Sequence, residues 1–516
     1  MTTINIPRPP SATTSRHGAV TAVVCLALAA VVAAMSSLNV ALPGIARATN
    51  ASQTSLSWIV DAYALVFAAL LLPAGALGDR YGRRRALMAG LAIFGVGSAA
   101  AMTVTSPAAL IGLRAVLGLG AALVMPATLS TITATFPATQ RIKAVSIWAG
   151  VAGAAAIVGA VCTGALLEVF SWRAAFGLNV VLAVIAIVGA YLIVPESADD
   201  EASHPDLGGA ALSIAGLVAL VYSIIEAPSA GWSSGRTLIG IGIGLALLAA
   251  FVRFELRRSH PMLDPRIFTH HRLSAGSLSI FVQFFAFFGF LFLVLQYLQI
   301  VRHDSALVAA LSLLPMAFGI MPSSRLAPKL AGHLGSGRVC VGGLVLIAGG
   351  MVMLSRLEAT TSYWFIAIGL FVLGAGMGTA MTPATSSITE ALPKAQQGVA
   401  SAVNDLAREV GGALGIAVLG SIMTATYRDN LNLLGVPDSV AEQVRHSVAS
   451  AAHIGGSLAD QANSAFIDGV RVALLAAAAL LVLAAASVAA LTRHRASTSE
   501  PQEHDDRARQ FSQVSS

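Results

Sequence analysis

The chain has 516 residues, 56% of them hydrophobic and only 11% charged, with a formal net charge of +6 and a mean hydropathy of +0.78. A soluble domain is about 45–50% apolar and about 25% charged, so this composition excludes a water-soluble enzyme, a nucleic-acid factor and a disordered regulator. A spanning helix needs about 20 apolar residues, and such stretches recur along almost the whole chain. The fold expected is an all-α, polytopic membrane protein.

In chain order, fourteen apolar segments cover 18–42, 57–77, 86–104, 107–133, 145–168, 173–194, 207–227, 236–252, 274–300, 306–327, 338–356, 363–387, 398–424 and 466–492. The first is too long for a signal-peptide core of about 7–15 residues, so it reads as a retained helix. Fourteen spans place both termini on one side. With the N-terminus in the cytoplasm, 21 lysines and arginines fall in internal segments, seven in external loops and three (Arg114, Arg408, Arg471) inside spans. That threefold bias matches the positive-inside rule and supports the count, since losing one span would invert half the loops. Trp58, Trp172, Trp232 and Trp364 fall at expected outer boundaries and Trp148 at an inner one, where indole rings favour the headgroup region.

The expected organisation is a cytoplasmic N-terminal tail (1–17), a six-helix bundle (18–194), two inserted helices with cytoplasmic linkers (195–273), and a second six-helix bundle (274–492). An external loop at 428–463 carries a short amphipathic stretch near Val440 to Ala451, and the tail 493–516 is polar and expected to be disordered. A faint repeat relates Leu77-Gly78-Asp79-Arg80-Tyr81-Gly82-Arg83-Arg84-Arg85 to Leu330-Ala331-Gly332-His333-Leu334-Gly335-Ser336-Gly337-Arg338. Two related bundles with a substrate site between them would produce such an echo.

Cys25, Cys162 and Cys340 are far apart and inside apolar stretches, so they form no disulfide framework or zinc spacing. The 11 histidines lie in or beside polar connections. No metal site, cofactor or catalytic set is expected. Gly374-Ala375-Gly376-Met377-Gly378 lies mid-span with no strand before it, so it reads as helix packing rather than a phosphate loop.

Ionisable residues inside spans are costly, and are commonly functional or paired. Span 13 is the most informative. Asn404 and Arg408, and Asp405 and Glu409, are i,i+4 pairs on one broad polar face, and Arg408 also reaches Asp405 at i,i+3. Glu409 lies about 16 Å along the helix from Gly398, near the bilayer middle. A carboxyl group removed from water prefers its neutral form and a guanidinium opposes this, so Asp405, Glu409 and Arg408 are candidates for carrying a coupling proton. A neutralised cluster that only holds helices together is the alternative. Asp61, three residues after Trp58, is a candidate for protons or for a cationic substrate, or a solvated rim residue. Asp468 and Arg471 read as an intrahelical pair. Span 9 carries Phe281, Phe284, Phe285, Phe287, Phe288, Phe290 and Phe292 on every face, so most are expected to meet lipid, with Gln283, Gln296 and Gln299 facing a substrate cavity beside Asn39 and Asn404.

Gly75-Ala76-Leu77-Gly78-Asp79-Arg80-Tyr81-Gly82-Arg83-Arg84-Arg85 resembles the loop signature of the major facilitator superfamily. Asn39-Val40-Ala41-Leu42-Pro43, Trp58-Ile59-Val60-Asp61-Ala62-Tyr63, Gly398-Val399-Ala400-Ser401-Ala402-Val403-Asn404 and Gly411-Gly412-Ala413-Leu414-Gly415-Ile416-Ala417 resemble its fourteen-span drug:proton antiporter branch. The resemblance implies two six-helix bundles with two inserted helices, and alternating access driven by proton entry. It also implies a cytoplasmic latch built from Gly75, Gly78, Asp79, Arg80, Gly82, Arg83 and Arg84. Arg114, within Leu113-Arg114-Ala115-Val116-Leu117-Gly118-Leu119-Gly120, matches the family's second motif, whose arginine assists proton transfer; a structural counter-ion is the alternative.

Two departures stand out. The family's acidic residue in span 1 is here Ala34, and the span 5 motif, Gly159-Ala160-Val161-Cys162-Thr163-Gly164, lacks its proline and one glycine. The function expected is proton-driven efflux of lipophilic drugs or antibiotics, cationic ones included, by a monomer in the plasma (inner) membrane with both termini cytoplasmic. Its partners are then a small-molecule substrate, protons and the lipid bilayer, with no nucleic acid. A carrier for one dedicated metabolite and a non-transporting sensor are the alternatives.

Overall fold

A computed structural model describes residues 12–49, 53–198, 206–258, 263–393, 396–431 and 456–493, together with Pro261 and Ala441. Residues 1–11, the rest of the amphipathic stretch near 440–451, and the tail from 494 lie outside the described residues.

The first half comprises α1 (Ala12–Thr49), α2 (Gln53–Tyr81), α3 (Arg83–Ala101), α4 (Pro107–Thr135), α5 (Ala138–Leu167) and α6 (Arg173–Ile193). A hairpin of α7 (Leu207–Ala230) and α8 (Gly235–Glu255) follows, capped by the Asp206 and Ser234 side chains on the amides of Gly209 and Thr237. The second half comprises α9 (His271–Gln296), which continues as a π-helical turn (Tyr297–Val301), then α10 (Ala306–Ser312), α11 (Leu314–Leu334), α12 (Ser336–Leu354), α13 (Tyr363–Glu390), α14 (Gln397–Asp429) and α15 (Gly456–Arg493).

Thirteen spans among the described residues are long and apolar enough to cross a membrane. The fourteenth is α3, whose 19 residues open with Arg83, Arg84 and Arg85 and so dilute its hydropathy. It packs against α4 and α6 as a full member of the first bundle.

The two halves repeat one pairing scheme. In the first, α2 and α3 pack on α4, α1 on α5 and α6, and α3 on α6. In the second, α11 and α12 pack on α13, α9 on α14 and α15, and α12 on α15. The faint sequence echo has a backbone counterpart. Gly82 (φ +112°) precedes α3 and Gly335 (φ +86°) precedes α12, and a side chain is disfavoured at both. The halves meet through α2 with α14, α4 with α14, α5 with α11 and α5 with α13. The inserted α7 lies against both α2 and α14, astride the junction.

Several sequence expectations are corrected. The segment 306–327 is two helices, because Pro315 in the first turn of α11 has no N–H to bond back across the break. α11 then runs on to Leu334, so Arg325 and Lys329 sit on a helix rather than in a connection. α14 ends at Asp429 and α15 starts at Gly456, which shortens the expected external loop at both ends. Trp148 does not face outward: it is fully buried, and its Nε1 donates to Thr128 Oγ1 at 3.0 Å. Trp172 is buried too. The ring-rich face of α9 is mostly internal, since α13, α14 and α15 enclose it. Phe284, Phe285, Phe287 and Phe290 are buried, whereas Phe292 is exposed.

Candidate functional site

The loop signature sits where α2 meets α14 at the arginine-rich end of the bundles. Gly75 and Gly398 face each other so closely that a Cβ on either would strike the other's carbonyl oxygen. This contact brings the Asp79 carboxylate to the first turn of α14. Its Oδ2 accepts from the Gly398 amide at 2.7 Å and the Val399 amide at 3.3 Å. Its Oδ1 accepts from Arg83 Nε at 2.9 Å and Nη2 at 2.6 Å. An anion at a helix N-terminus meets unpaired N–H groups and the positive end of the helix dipole, so Asp79 caps α14 across the junction. Asp79 and Arg83 are both buried.

The other signature residues shape this contact from outside it. Gly82 supplies the positive φ between α2 and α3. Gly78 is buried beside Ala86. Arg80 lies 6.0 Å from the Tyr81 ring, and Arg84 lies 5.4 Å from the Tyr191 ring.

Two residues not singled out from the residue pattern belong here. Glu196, in Val194-Pro195-Glu196-Ser197, accepts from the Arg84 amide at 3.2 Å and pairs with Arg85 at 3.7 Å, holding the start of α3. Gln397 Nε2 donates to the Thr389, Leu392 and Pro393 carbonyls, fixing the turn that aims the α14 amides at Asp79. A carboxylate just past the end of span 6 was the only visible hint of the first.

Deeper in the junction, α14 carries the polar face expected of it, and Asn404, Asp405, Arg408 and Glu409 are all buried. The Arg408 guanidinium lies between two carboxylates, with Nη2 3.4 Å from Asp405 Oδ1 and Nε 3.2 Å from Glu409 Oε1. It also lies 5.6 Å from the Phe284 ring. Asn404 Nδ2 donates to Asp405 Oδ1 at 3.4 Å, and Thr385 on α13 donates to Asn404 Oδ1 at 3.1 Å. Among the described residues, Asp405 Oδ2 and Arg408 Nη1 make no hydrogen bond. A buried ionic cluster with unmet bonding capacity is suited to taking up a proton or a polar ligand group.

On the facing bundle, Arg114 of α4 is buried. Its Nε donates to the Ile59 carbonyl at 2.8 Å, and its guanidinium lies 4.3 Å from the centre of the Tyr63 ring. Ile59 and Tyr63 are i,i+4 on α2, so one helix face supplies both contacts. Tyr63 is the third residue that the residue pattern left unassigned.

The remaining candidates separate. Gln283 is buried, but its Nε2 donates to Ser279 Oγ at 2.8 Å, and that hydroxyl lies 2.9 Å from Cys340 Sγ. Ser279 thus joins α9 to α12, with Gln283 bonded to it from the same helix. Gln296 bonds back to the Phe292 carbonyl at 3.0 Å, and Gln299 is exposed. Asp61 lies on α2 and Asn39 on α1, with side chains outside the described residues. Ala34 is buried against α6, in a crevice shared with Ser37, Phe176 and Asn179. Asp468 and Arg471 form the expected intrahelical pair at 3.2 Å.

A family profile described as the Major Facilitator Superfamily matches residues 24–416. The chain is 34% identical to the multidrug resistance protein Stp of Mycobacterium tuberculosis (strain CDC 1551 / Oshkosh) over 462 residues, 86% of each chain. It is 36% identical to the multidrug efflux pump LfrA of Mycolicibacterium smegmatis, covering 90% of this chain and 93% of that one. It is 33% identical to the methyl viologen resistance protein SmvA of Salmonella typhimurium (strain 14028s / SGSC 2262), covering 85% and 89%. Among solved structures, the human organic anion transporter MFSD10 (TETRAN) shares the fold with a TM-score of 0.64 at 15% identity, over 93% of this chain and all of that one. The proton:xylose symporter XylE does so with a TM-score of 0.61 at 16% identity, over 92% and 95%.

Proposed function

Because the chain belongs to the major facilitator superfamily and is a carrier rather than an enzyme, we propose that it exports lipophilic drugs or antibiotics, cationic ones included, in exchange for protons. Relatives named for multidrug efflux support the export reading. A relative named for methyl viologen resistance supports the cationic arm. The observation that carries the proton reading is the buried cluster of α14, where Arg408 lies between Asp405 and Glu409 at 3.4 and 3.2 Å. A proton on either carboxylate leaves the guanidinium with one counter-charge fewer, which changes the electrostatics of the surface α14 presents to α2 and α4.

In this reading the arginine-rich end faces the cytoplasm of a cell whose plasma membrane holds the protein, and both termini lie on that side. The Asp79 cap on α14 then holds the cytoplasmic side shut while substrate leaves outward. Proton entry resets the junction, and the latch opens to admit substrate from within.

Inside-out vesicles containing the protein test this directly. With an inward-acidic gradient reported by a pH-sensitive dye, adding substrates from a panel of cationic and neutral drugs should dissipate the gradient. Vesicles lacking the protein should show no such loss. Saturable drug binding without any gradient change in correctly inserted protein would reject the proposal.

A further inference from the structure

The inserted hairpin touches both sides of the junction, at the end opposite the Asp79 cap. α7 buries Leu217, Val221, Ile224 and Ala227 on one stripe, and it packs on both α2 and α14. α8 packs on α7 and leaves Leu238, Ile239 and Ile243 exposed, so the hairpin holds the bundles through α7 and the turn that follows it. On the first bundle, the Tyr222 ring of α7 lies 5.5 Å from the Trp58 ring of α2. Arg236 of α8 donates to the Tyr222 hydroxyl at 2.9 Å, which ties that ring to both helices of the hairpin. On the second bundle, Trp232 Nε1 donates to Ser421 Oγ of α14 at 2.8 Å, across 189 positions of sequence.

The turn that presents Trp232 is fixed at both ends. Gly231 adopts φ +91° and its amide bonds to the Ala227 carbonyl, which closes α7. Ser234 bonds back to the Gly231 carbonyl and caps α8 on the Thr237 amide. At 1.5 Å per residue, Trp58 lies about 30 Å from Asp79 along α2, and Ser421 about 35 Å from Gly398 along α14. The same two helices are thus joined directly at one end and through the hairpin at the other.

We infer that the inserted hairpin is an outer clasp, and that its Trp232–Ser421 bond parts when the bundles open outward. The inference rests on the alternating-access reading above and deepens it. With the Asp79 cap holding one end, outward opening separates the far ends of α2 and α14, and a hairpin fastened to both must release one. The tie to α2 is a ring pair backed by Arg236, whereas the turn's tie to α14 is a single hydrogen bond. Such a bond has a small net free energy, so it breaks and re-forms readily within a transport cycle. The clasp therefore sets how often the outer end opens.

The experiment measures that opening directly in full-length protein in lipid nanodiscs. Cys25, Cys162 and Cys340 are replaced by alanine, and nitroxide labels are attached through Val169→Cys and Thr360→Cys. These exposed positions lie in the outer connections of the first and second bundles, away from the hairpin. Pulsed electron paramagnetic resonance then gives the ratio of long to short distances between them. Trp232→Phe removes the N–H and keeps a ring; Ser421→Ala removes the acceptor. Each should raise the long-to-short ratio by about two- to tenfold, the range one hydrogen bond supplies. The double variant should go no further than either single one, because both remove the same bond.

An unchanged distance distribution in both single variants overturns the inference, as does a double variant whose effect is the product of the two. If one variant fails to insert, an unchanged distribution in the other overturns it equally. A raised ratio in a protein that moves no drug in vesicles would reject export and leave the clasp standing. Drug-driven dissipation of the gradient with unshifted distances would leave export standing and reject the clasp.

Discussion

The Asp79 carboxylate on α2 caps the Gly398 amide on α14 at 2.7 Å, joining residues 319 positions apart in sequence across the junction of the two bundles. The same carboxylate holds Arg83, so one buried side chain closes the α2–α3 turn and docks the second bundle on the first. Any motion that parts the bundles at this end must break it.

Asp79→Asn should therefore weaken the closed junction. An amide can still accept one bond at Oδ1, but it loses the charge that faces both the helix N-terminus and Arg83. The expected cost is about 1–3 kcal/mol of closed-state stability. A cysteine introduced near Gly398 should become more reactive to a membrane-impermeant thiol reagent from the basic side. Unchanged reactivity would show that the cap does not hold this end closed.

Gly75→Ala should abolish transport while leaving insertion intact, because its Cβ would meet backbone atoms of Gly398 that cannot yield without moving α14. Gly332, the position equivalent to Asp79 in the second loop, has open space around it. Gly332→Ala should transport at the wild-type rate. Comparable losses in the two variants would mean that the close approach of Gly75 and Gly398 is not what limits the cycle.

Glu409→Gln and Asp405→Asn should each abolish proton-coupled export in vesicles without preventing insertion. Arg408→Ala should cost more in stability, about 3–5 kcal/mol, because it leaves two buried carboxylates without their shared counter-ion. A marked fall in Tm in detergent checks this. Full proton-linked transport by both carboxylate variants would remove α14 from the coupling pathway.

Asp61→Asn should impair export of cationic drugs by about tenfold more than that of neutral ones, the effect expected when a carboxylate no longer pairs with a cation. Matching transport assays with a cationic and a neutral substrate measure the ratio. Equal losses would reject cation recognition at this position.

Much of the architecture was legible in the residues. Fourteen apolar segments, their charge bias and the two glycine-bearing loops led to paired bundles with an inserted hairpin, and the helix pairings repeat accordingly. The i,i+3 relation of Asp405 and Arg408 was also readable, since both lie on one helix and 3.6-residue periodicity places them together. Long-range partners were not. Nothing near Asp79 in sequence points to Gly398, and nothing near Arg114 points to Tyr63.

The sequence by itself determined that this chain lives in a bilayer, how many times it crosses, and which few positions place charge inside a span, because hydropathy and charge are properties of residues one at a time. Only the tertiary structure decided which apolar surfaces meet protein and which meet lipid. Phe284 and Phe292 of α9 are the same residue type, yet one is buried beside Arg408 and the other is exposed. Lipid tails are as apolar as a protein interior, so hydropathy does not separate the two environments. The separation comes from packing: a glycine where two backbones meet, as at Gly75 and Gly398, and a buried cation where an aromatic ring is there to hold it, as at Arg114 and Tyr63.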